Sequence, residues 1–124
     1  MHDSHDSHDS HFSHELLDVY IVSRQALIIG DAIARSLPRG YGHFADQLRR
    51  ALLSSHLGVA EAANRAGADR SMRCRYARAE AAEAASAIDG LVALRLVDAT
   101  RAAEARALLR RVYAMLTKLG KLGT

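Results

Sequence analysis

Five histidines recur at every third residue at the start of the chain and could bind a transition metal. They are His2, His5, His8, His11 and His14, interleaved with Asp3, Asp6 and Asp9. Neutral imidazoles bind zinc, nickel and copper, but a repeat on a flexible arm offers many weak and interchangeable geometries. The alternative, which the low-complexity composition favours, is a solvated tail. We therefore expect no cofactor beyond weak binding of Zn, Ni or Cu by this arm.

Arginine is the second residue type that could carry a function. Residues 37–78 hold eight basic side chains against three acidic ones, and the basic set is Arg39, Arg49, Arg50, Arg65, Arg70, Arg73, Arg75 and Arg78. Such a surface could contact nucleic-acid phosphates, with an affinity that falls steeply as salt rises. No tryptophan and few aromatic residues are present to stack bases, so base readout is not predicted. The alternative is a solvated helical face of intrahelical ion pairs and bridges between subunits.

Two glutamates, Glu61 and Glu83, lie near apolar registers, where a buried carboxylate needs a partner. Arg50 and Arg78 are candidates, which predicts a structural polar network. A di-metal carboxylate site in a helical bundle would require Glu-x-x-His pairs, and neither glutamate has a histidine three residues later.

Catalysis has little support in the sequence. Ser54, Ser55 and His56 are consecutive, but consecutive residues on a helix do not face each other. No glycine-rich phosphate-binding loop is present either. We predict that the protein is not an enzyme.

Composition favours a single helical domain with a polyanionic partner. The 124 residues include one proline and 49% hydrophobic residues, with a net charge of +3 and a pI near 9.4. Without Asp3, Asp6 and Asp9 the net charge of the remainder is +6. A single cysteine, the absence of an apolar run of membrane-spanning length, and a polar start unlike a signal peptide predict a cytoplasmic protein without membrane contact.

Apolar residues at steps of three and four predict four helices, with a low-complexity arm over 1–14 and the bundle over 15–124. The first helix ends before Pro38, the second begins near His43, and the third runs from about Arg70 to Leu96. Gly67 is predicted to take the left-handed conformation and Asp69 to cap the third helix. Short connections predict an all-α, antiparallel, up-down-up-down four-helix bundle. The first helix is apolar on more than one side, which predicts contact with another subunit.

The second and third helices carry motifs that resemble those of the bacterial four helix bundle protein family. The matching residues are Gln47-Leu48-Arg49-Arg50-Ala51, Ser54, Val59-Ala60-Glu61-Ala62, Ala77-Arg78-Ala79 with Glu83, and the loop Pro38-Arg39-Gly40-Tyr41-Gly42. The resemblance covers about residues 16–119. This chain departs from the family pattern at Gly58, where the family usually has asparagine, and at Ala62, where it has glycine.

That family includes the 23S ribosomal RNA intervening-sequence proteins and the accessory variability determinants of diversity-generating retroelements. The resemblance implies a ring-shaped homo-oligomer, expected to be a pentamer, with a basic surface that binds RNA or DNA and a reverse transcriptase as partner. The sequence therefore predicts a non-enzymatic, oligomeric, nucleic-acid-associated accessory protein. The alternative is a structural or protein-interaction scaffold with a histidine-rich metal-binding or tethering arm.

Overall fold

Four α-helices make up the regular structure of the computed structural model, which describes residues 3–122, with side chains from 14 to 121. They are α1 (Asp3–Arg35), α2 (Gly42–Ala63), α3 (Gly67–Ala93) and α4 (Ala99–Leu122), and the described residues contain no strand. Each helix packs against two others, in the pairs α1 with α2, α2 with α3, α3 with α4, and α1 with α4. The predicted all-helical class with four packed helices is confirmed.

The apolar stripes predicted from the sequence meet along one continuous core. Fully buried large side chains come from every helix: Val19 and Ile33 of α1, Leu48, Leu52 and Val59 of α2, Ile88 of α3, and Val112 and Leu116 of α4. Alanines Ala77, Ala81 and Ala84 are the buried residues along the middle of α3. Because an alanine side chain is short, it allows neighbouring helices to approach closely.

The helix ends follow partly from the sequence. Asp98 caps α4 by accepting a hydrogen bond from the backbone N–H of Arg101 at 3.2 Å. Gly67 has a φ of 57°, the predicted left-handed conformation. The predicted cap on α3 is wrong, because α3 begins at Gly67 after Ala66, which makes no side-chain cap, and Asp69 lies inside the first turn.

Two boundaries differ from the sequence prediction. The third helix ends at Ala93 instead of near Leu96, because Arg95 adopts a φ of 61° and its N–H bonds to Val92 O at 2.9 Å. The N–H of Leu96 bonds to Leu91 O, also at 2.9 Å, which completes a Schellman closure without glycine.

The second boundary is the start of α1, which begins at Asp3, earlier than the predicted start near Glu15. Residues 3–14 contain neither proline nor glycine, so nothing in the backbone interrupts the helical hydrogen bonds. The division at residue 14 stays a prediction, because the side chains of 3–13 lie outside those described.

Among the described residues, no helix has both the length and the apolar character that crossing a bilayer requires.

Candidate nucleic-acid interface

The arginines of α2 that were predicted to contact phosphates are engaged by acidic side chains of the same molecule. Arg49 Nε lies 2.9 Å from a carboxylate oxygen of Asp31 on α1, and its Nη1 lies 3.7 Å from Asp46. The hydrogen bond from Arg49 and a second one from Arg35 hold the pKa of Asp31 below its usual value, against the opposing effect of desolvation. Arg50 lies 3.7 Å from Glu83 of α3. Each of these arginines therefore has an acidic neighbour that offsets its charge.

The arginines near the α2–α3 turn are engaged as well. Arg65 and Arg73 both lie within 3.7 Å of Asp69, and Arg73 also lies 3.6 Å from Glu61. Arg70 donates to the backbone carbonyl of Ala62 at 3.3 Å and to that of Arg65. The basic side chains of the turn therefore link the end of α2 to the start of α3.

Arg39 is exposed in the loop between α1 and α2.

Arg75 and Arg78 differ from the other arginines of the hairpin because they lie on the side of α3 that packs against α4. Arg78 donates from Nη1 to Thr117 Oγ1 at 3.1 Å, and its guanidinium carbon lies 5.3 Å from the centre of the Tyr113 ring. Neither arginine forms an ion pair with an acidic side chain among the described residues. The sequence predicted one basic surface over residues 37–78. In the structure these arginines form two groups, according to the helix that each of them faces.

The helix that faces Arg75 and Arg78 carries most of the excess positive charge. Helix α4 has six basic residues and one acidic residue, whereas α2 has two of each and α3 has four of each. The basic residues of α4 are Arg101, Arg106, Arg110, Arg111, Lys118 and Lys121. Sequence reasoning missed this helix because it counted charge only up to residue 78. A count for each predicted helix would have found it.

One face of α4 brings several of these cations toward α3. Arg106 pairs with Asp89 of α3, and Tyr113 and Thr117 contact Arg78. Arg110 follows Arg106 by four residues and precedes Tyr113 by three, so it lies on the same face of α4. We call this surface the α3/α4 groove and define it by Arg75, Arg78, Arg106, Arg110, Tyr113, Thr117 and Lys121.

The predicted polar network of Glu61 and Glu83 lies at the surface. The side chains are 57% and 44% exposed, so neither carboxylate is buried. Both residues sit on the outer part of the α2–α3 contact, where arginines of the facing helix reach them. Glu83 pairs with Arg50, one of the two expected partners, whereas Glu61 pairs with Arg73. Exposed pairs of this kind contribute little to stability.

A buried polar contact between α1 and α2 was not predicted. Ser23 Oγ lies 2.8 Å from Nδ1 of His56 and donates its hydrogen to the carbonyl of Tyr20 at 3.0 Å. The Tyr20 ring packs on the His56 ring with centroids 4.5 Å apart. Burial, with a smaller effect from Arg24, lowers the pKa of His56. The signal in the sequence was spacing, because His56 follows Leu52 by four residues and therefore shares a face of α2 with it.

This serine and histidine are buried together between α1 and α2. The direction of the hydrogen bond between them depends on the tautomer of His56. Ser23 is also only 3% exposed, which keeps a substrate away from its oxygen. The contact ties α1 to α2.

The predicted metal ligands fall mostly outside the described part of the chain. His2 lies outside the described residues, and His5, His8 and His11 lie outside the described side chains. His14 is exposed on α1. Among the side chains from 14 to 121, no group of three or more His, Cys, Asp or Glu residues is placed to hold a metal ion.

Comparison with known proteins gives no assignment. No protein-family model matches the chain, and no curated protein matches it. The resemblance to the four helix bundle proteins therefore stays a prediction.

Proposed function

We propose that this protein is a non-enzymatic accessory protein that self-associates and binds the phosphates of a nucleic acid through the α3/α4 groove. The observation that carries the proposal is the unequal distribution of charge among the helices. The basic residues of α2 and the α2–α3 turn are engaged within the chain, while Arg75, Arg78 and Arg110 have no acidic partner among the described residues. Three of the six basic residues of α4, Arg106, Arg110 and Lys121, belong to the groove and add positive potential to that side.

We infer an antiparallel, up-down-up-down order for the bundle from contacts along each helix pair. Between α2 and α3 the contacts run from Arg50 with Glu83, through Ser55 with Ala77, to Glu61 with Arg73. Residue numbers rise along one helix as they fall along the other.

Self-association is supported by apolar side chains that the chain leaves uncovered. Leu17, Ile21 and Ile28 of α1 are 54%, 44% and 61% exposed, and Leu53 and Leu57 of α2 are about half exposed. They lie on outward positions of two adjacent helices, where a single copy has nothing to cover them. We infer a homo-oligomer, with the ring-shaped pentamer implied by the resemblance as the expected state.

Oligomerisation would place several α3/α4 grooves on one particle. Several weak phosphate contacts then act together, which raises the avidity for a long polyanion without base recognition. Binding of this kind is insensitive to base sequence and sensitive to salt.

The second candidate is a scaffold that only binds other proteins, and the exposed apolar side chains of α1 and α2 also favour it. A salt titration separates the two functions. We expect single-stranded RNA and DNA to bind at low salt, with an affinity that falls as salt rises by a slope of about 0.7 for each phosphate contacted. If neither nucleic acid binds at low salt, the groove proposal is rejected and the scaffold remains.

Charge-matched variants locate the binding surface. Replacing Arg75, Arg78 and Arg110 together by Gln removes three cations of the groove and should lower the salt slope by about 2. The control replaces Arg35, Arg49 and Arg50 by Gln, which removes the same charge from side chains that already pair with Asp31 and Glu83. If the salt slope falls equally in both variants, net charge alone determines binding. Circular dichroism verifies that each variant keeps its helices.

A further inference from the structure

A cavity between α3 and α4 lies within the α3/α4 groove, and the charged residues that line it in the described part of the chain are all cations. It has a volume of about 190 Å³, with Arg75, Arg78 and Lys121 around it and Gly120 in its wall. A cavity needs about 10–15 Å³ on this measure to hold one water molecule, so this one has room for a tetrahedral oxyanion together with water.

Arg78 is held in place before any ligand arrives. Its Nη1 donates to Thr117 Oγ1, and that hydroxyl donates in turn to the carbonyl of Tyr113 at 2.8 Å. The ring of Tyr113 lies under the guanidinium. A guanidinium has five N–H donors, and the bond to Thr117 uses one of them. Four donors in a planar fork are left, which matches two oxygens of a phosphate.

No acidic side chain among residues 14–121 pairs with Arg78. Cys74 lies close enough for Arg78 and Arg70 to act on it, but burial dominates and raises the pKa of its thiol, so no thiolate forms beside them. The carbonyl of Gly120, near the negative end of α4, already accepts a hydrogen bond from Ser71 Oγ at 2.7 Å. Basic residues near a helix C-terminus also interact favourably with the helix dipole. Phosphate titration of Arg78 variants distinguishes that role from ligand binding.

We propose that this cavity binds a single phosphate group, with Arg78 as the residue that grips it and Arg75 as a second cation at its rim. The inference rests on the proposed function, because the phosphate would anchor a nucleic acid in the groove. The group is either an internal phosphodiester or a terminal phosphate.

Inorganic phosphate is the direct probe. Its binding to the full chain is measured by the broadening of its ³¹P resonance. We expect saturable broadening that Arg78→Gln weakens by about tenfold or more, since a charged hydrogen-bonding partner is lost. Thr117→Val keeps the guanidinium but removes its anchor and should weaken binding by a smaller factor. Arg50→Gln is the matched control and should leave binding unchanged. Non-saturable broadening, or saturable broadening that Arg78→Gln does not alter, overturns the site.

Arg78→Lys keeps the positive charge but removes the planar set of N–H donors that a guanidinium provides. Binding restored to the wild-type level by this variant would show that charge at the end of α4 suffices, which overturns the assignment of a shaped phosphate site. Circular dichroism of Arg78→Gln verifies that this variant keeps its helices.

Short oligonucleotides that differ only at the 5′ end identify the source of the phosphate. A higher affinity for the 5′-phosphorylated form that Arg78→Gln abolishes assigns a terminal phosphate, and equal affinities that Arg78→Gln lowers together assign the backbone. Failure of the site and of the proposed function are separable. Salt-dependent RNA binding without inorganic phosphate binding rejects the site alone, whereas phosphate binding without RNA binding rejects the proposed function alone.

Discussion

Gly58 of α2 lies against Ala77 of α3 so closely that a Cβ atom added to Gly58 would be 2.7 Å from the Cβ atom of Ala77 and 3.3 Å from its Cα atom. The same part of α3 accepts a hydrogen bond at Ala77 O from Ser55 Oγ at 3.0 Å. Both contacts depend on short side chains where the two helices cross. Any side chain at position 58 must push the backbones apart.

Gly58→Ala is therefore expected to destabilise the fold although alanine favours helix. Overpacking against backbone should outweigh the gain in helix propensity, for a net loss of about 1–2 kcal/mol in the free energy of unfolding. Urea unfolding followed by circular dichroism measures it.

Gly90→Ala is the matched control for this prediction, because no heavy atom lies within 4 Å of the Cβ that it adds to α3. It should stabilise the protein by about 0.5–1 kcal/mol. A Gly58→Ala variant as stable as wild type would show that α2 and α3 are not as close as described.

The helices and their buried faces could be predicted because a period near 3.6 is a local property of the sequence. Leu48, Val59 and Ile88 are all buried at positions that the spacing predicted. The end of α3 could not be predicted in this way. Arg95 takes a left-handed conformation that is usually signalled by glycine, and its side chain gives no such signal.

The candidate site depends on contacts that a single sequence does not contain. Arg49 and Asp31 are on different helices, and whether they pair depends on the lateral order of the bundle. The same order turns Arg78 toward Thr117 instead of toward an acid. Basic residues could thus be counted from the sequence. The sequence could not show which of them pair with acidic side chains.

The buried His56 predicts a stability that rises with pH. Because burial and Arg24 lower the pKa of His56 in the folded state, the unfolded chain takes up a proton near the ordinary value of 6.5 while the folded chain resists it. The free energy of unfolding should fall as pH falls through about 6.5, and His56→Gln should remove this component. At neutral pH that variant should lose about 0.5–1.5 kcal/mol with the contact to Ser23.

Urea unfolding at about pH 7.5 and pH 5.5, on either side of the ordinary histidine pKa, measures the effect. His43→Gln changes an exposed histidine of the same helix and serves as the control. The N-terminal histidines are common to all three proteins, so their contribution cancels. An unchanged pH dependence in His56→Gln would contradict the assignment.

Cys74 should report opening of the α3/α4 contact. The thiol is fully buried and burial raises its pKa, so both access and thiolate formation are suppressed in the folded chain. Its reaction with a thiol reagent at neutral pH is expected to be at least about a thousandfold slower than in concentrated urea, because reaction requires local or global opening. Labelling at the rate of the unfolded chain would show that α4 does not cover the thiol.

Ile28→Glu should separate the copies of the oligomer. This side chain is 61% exposed on the outer face of α1, and a carboxylate there would have to be desolvated in any contact that covers Leu17 and Ile21. Light scattering at micromolar concentration should show a smaller particle than wild type. Leu94→Glu, at a residue 58% exposed beyond the end of α3, should keep the wild-type mass. A monomeric wild type would reject self-association itself.

Asp89→Asn should strengthen nucleic-acid binding, because it removes the carboxylate that pairs with Arg106 in the α3/α4 groove. Arg106 then becomes available beside Arg110, and one added phosphate contact should steepen the salt slope by about 0.7 for a single strand. Asp31→Asn is the control, since it also raises the net charge by one but releases Arg35 and Arg49 on the α1/α2 side. Salt titrations with one RNA compare the two variants. Binding through the groove predicts a gain for Asp89→Asn alone, whereas equal gains would mean that net charge, and not this surface, determines the affinity.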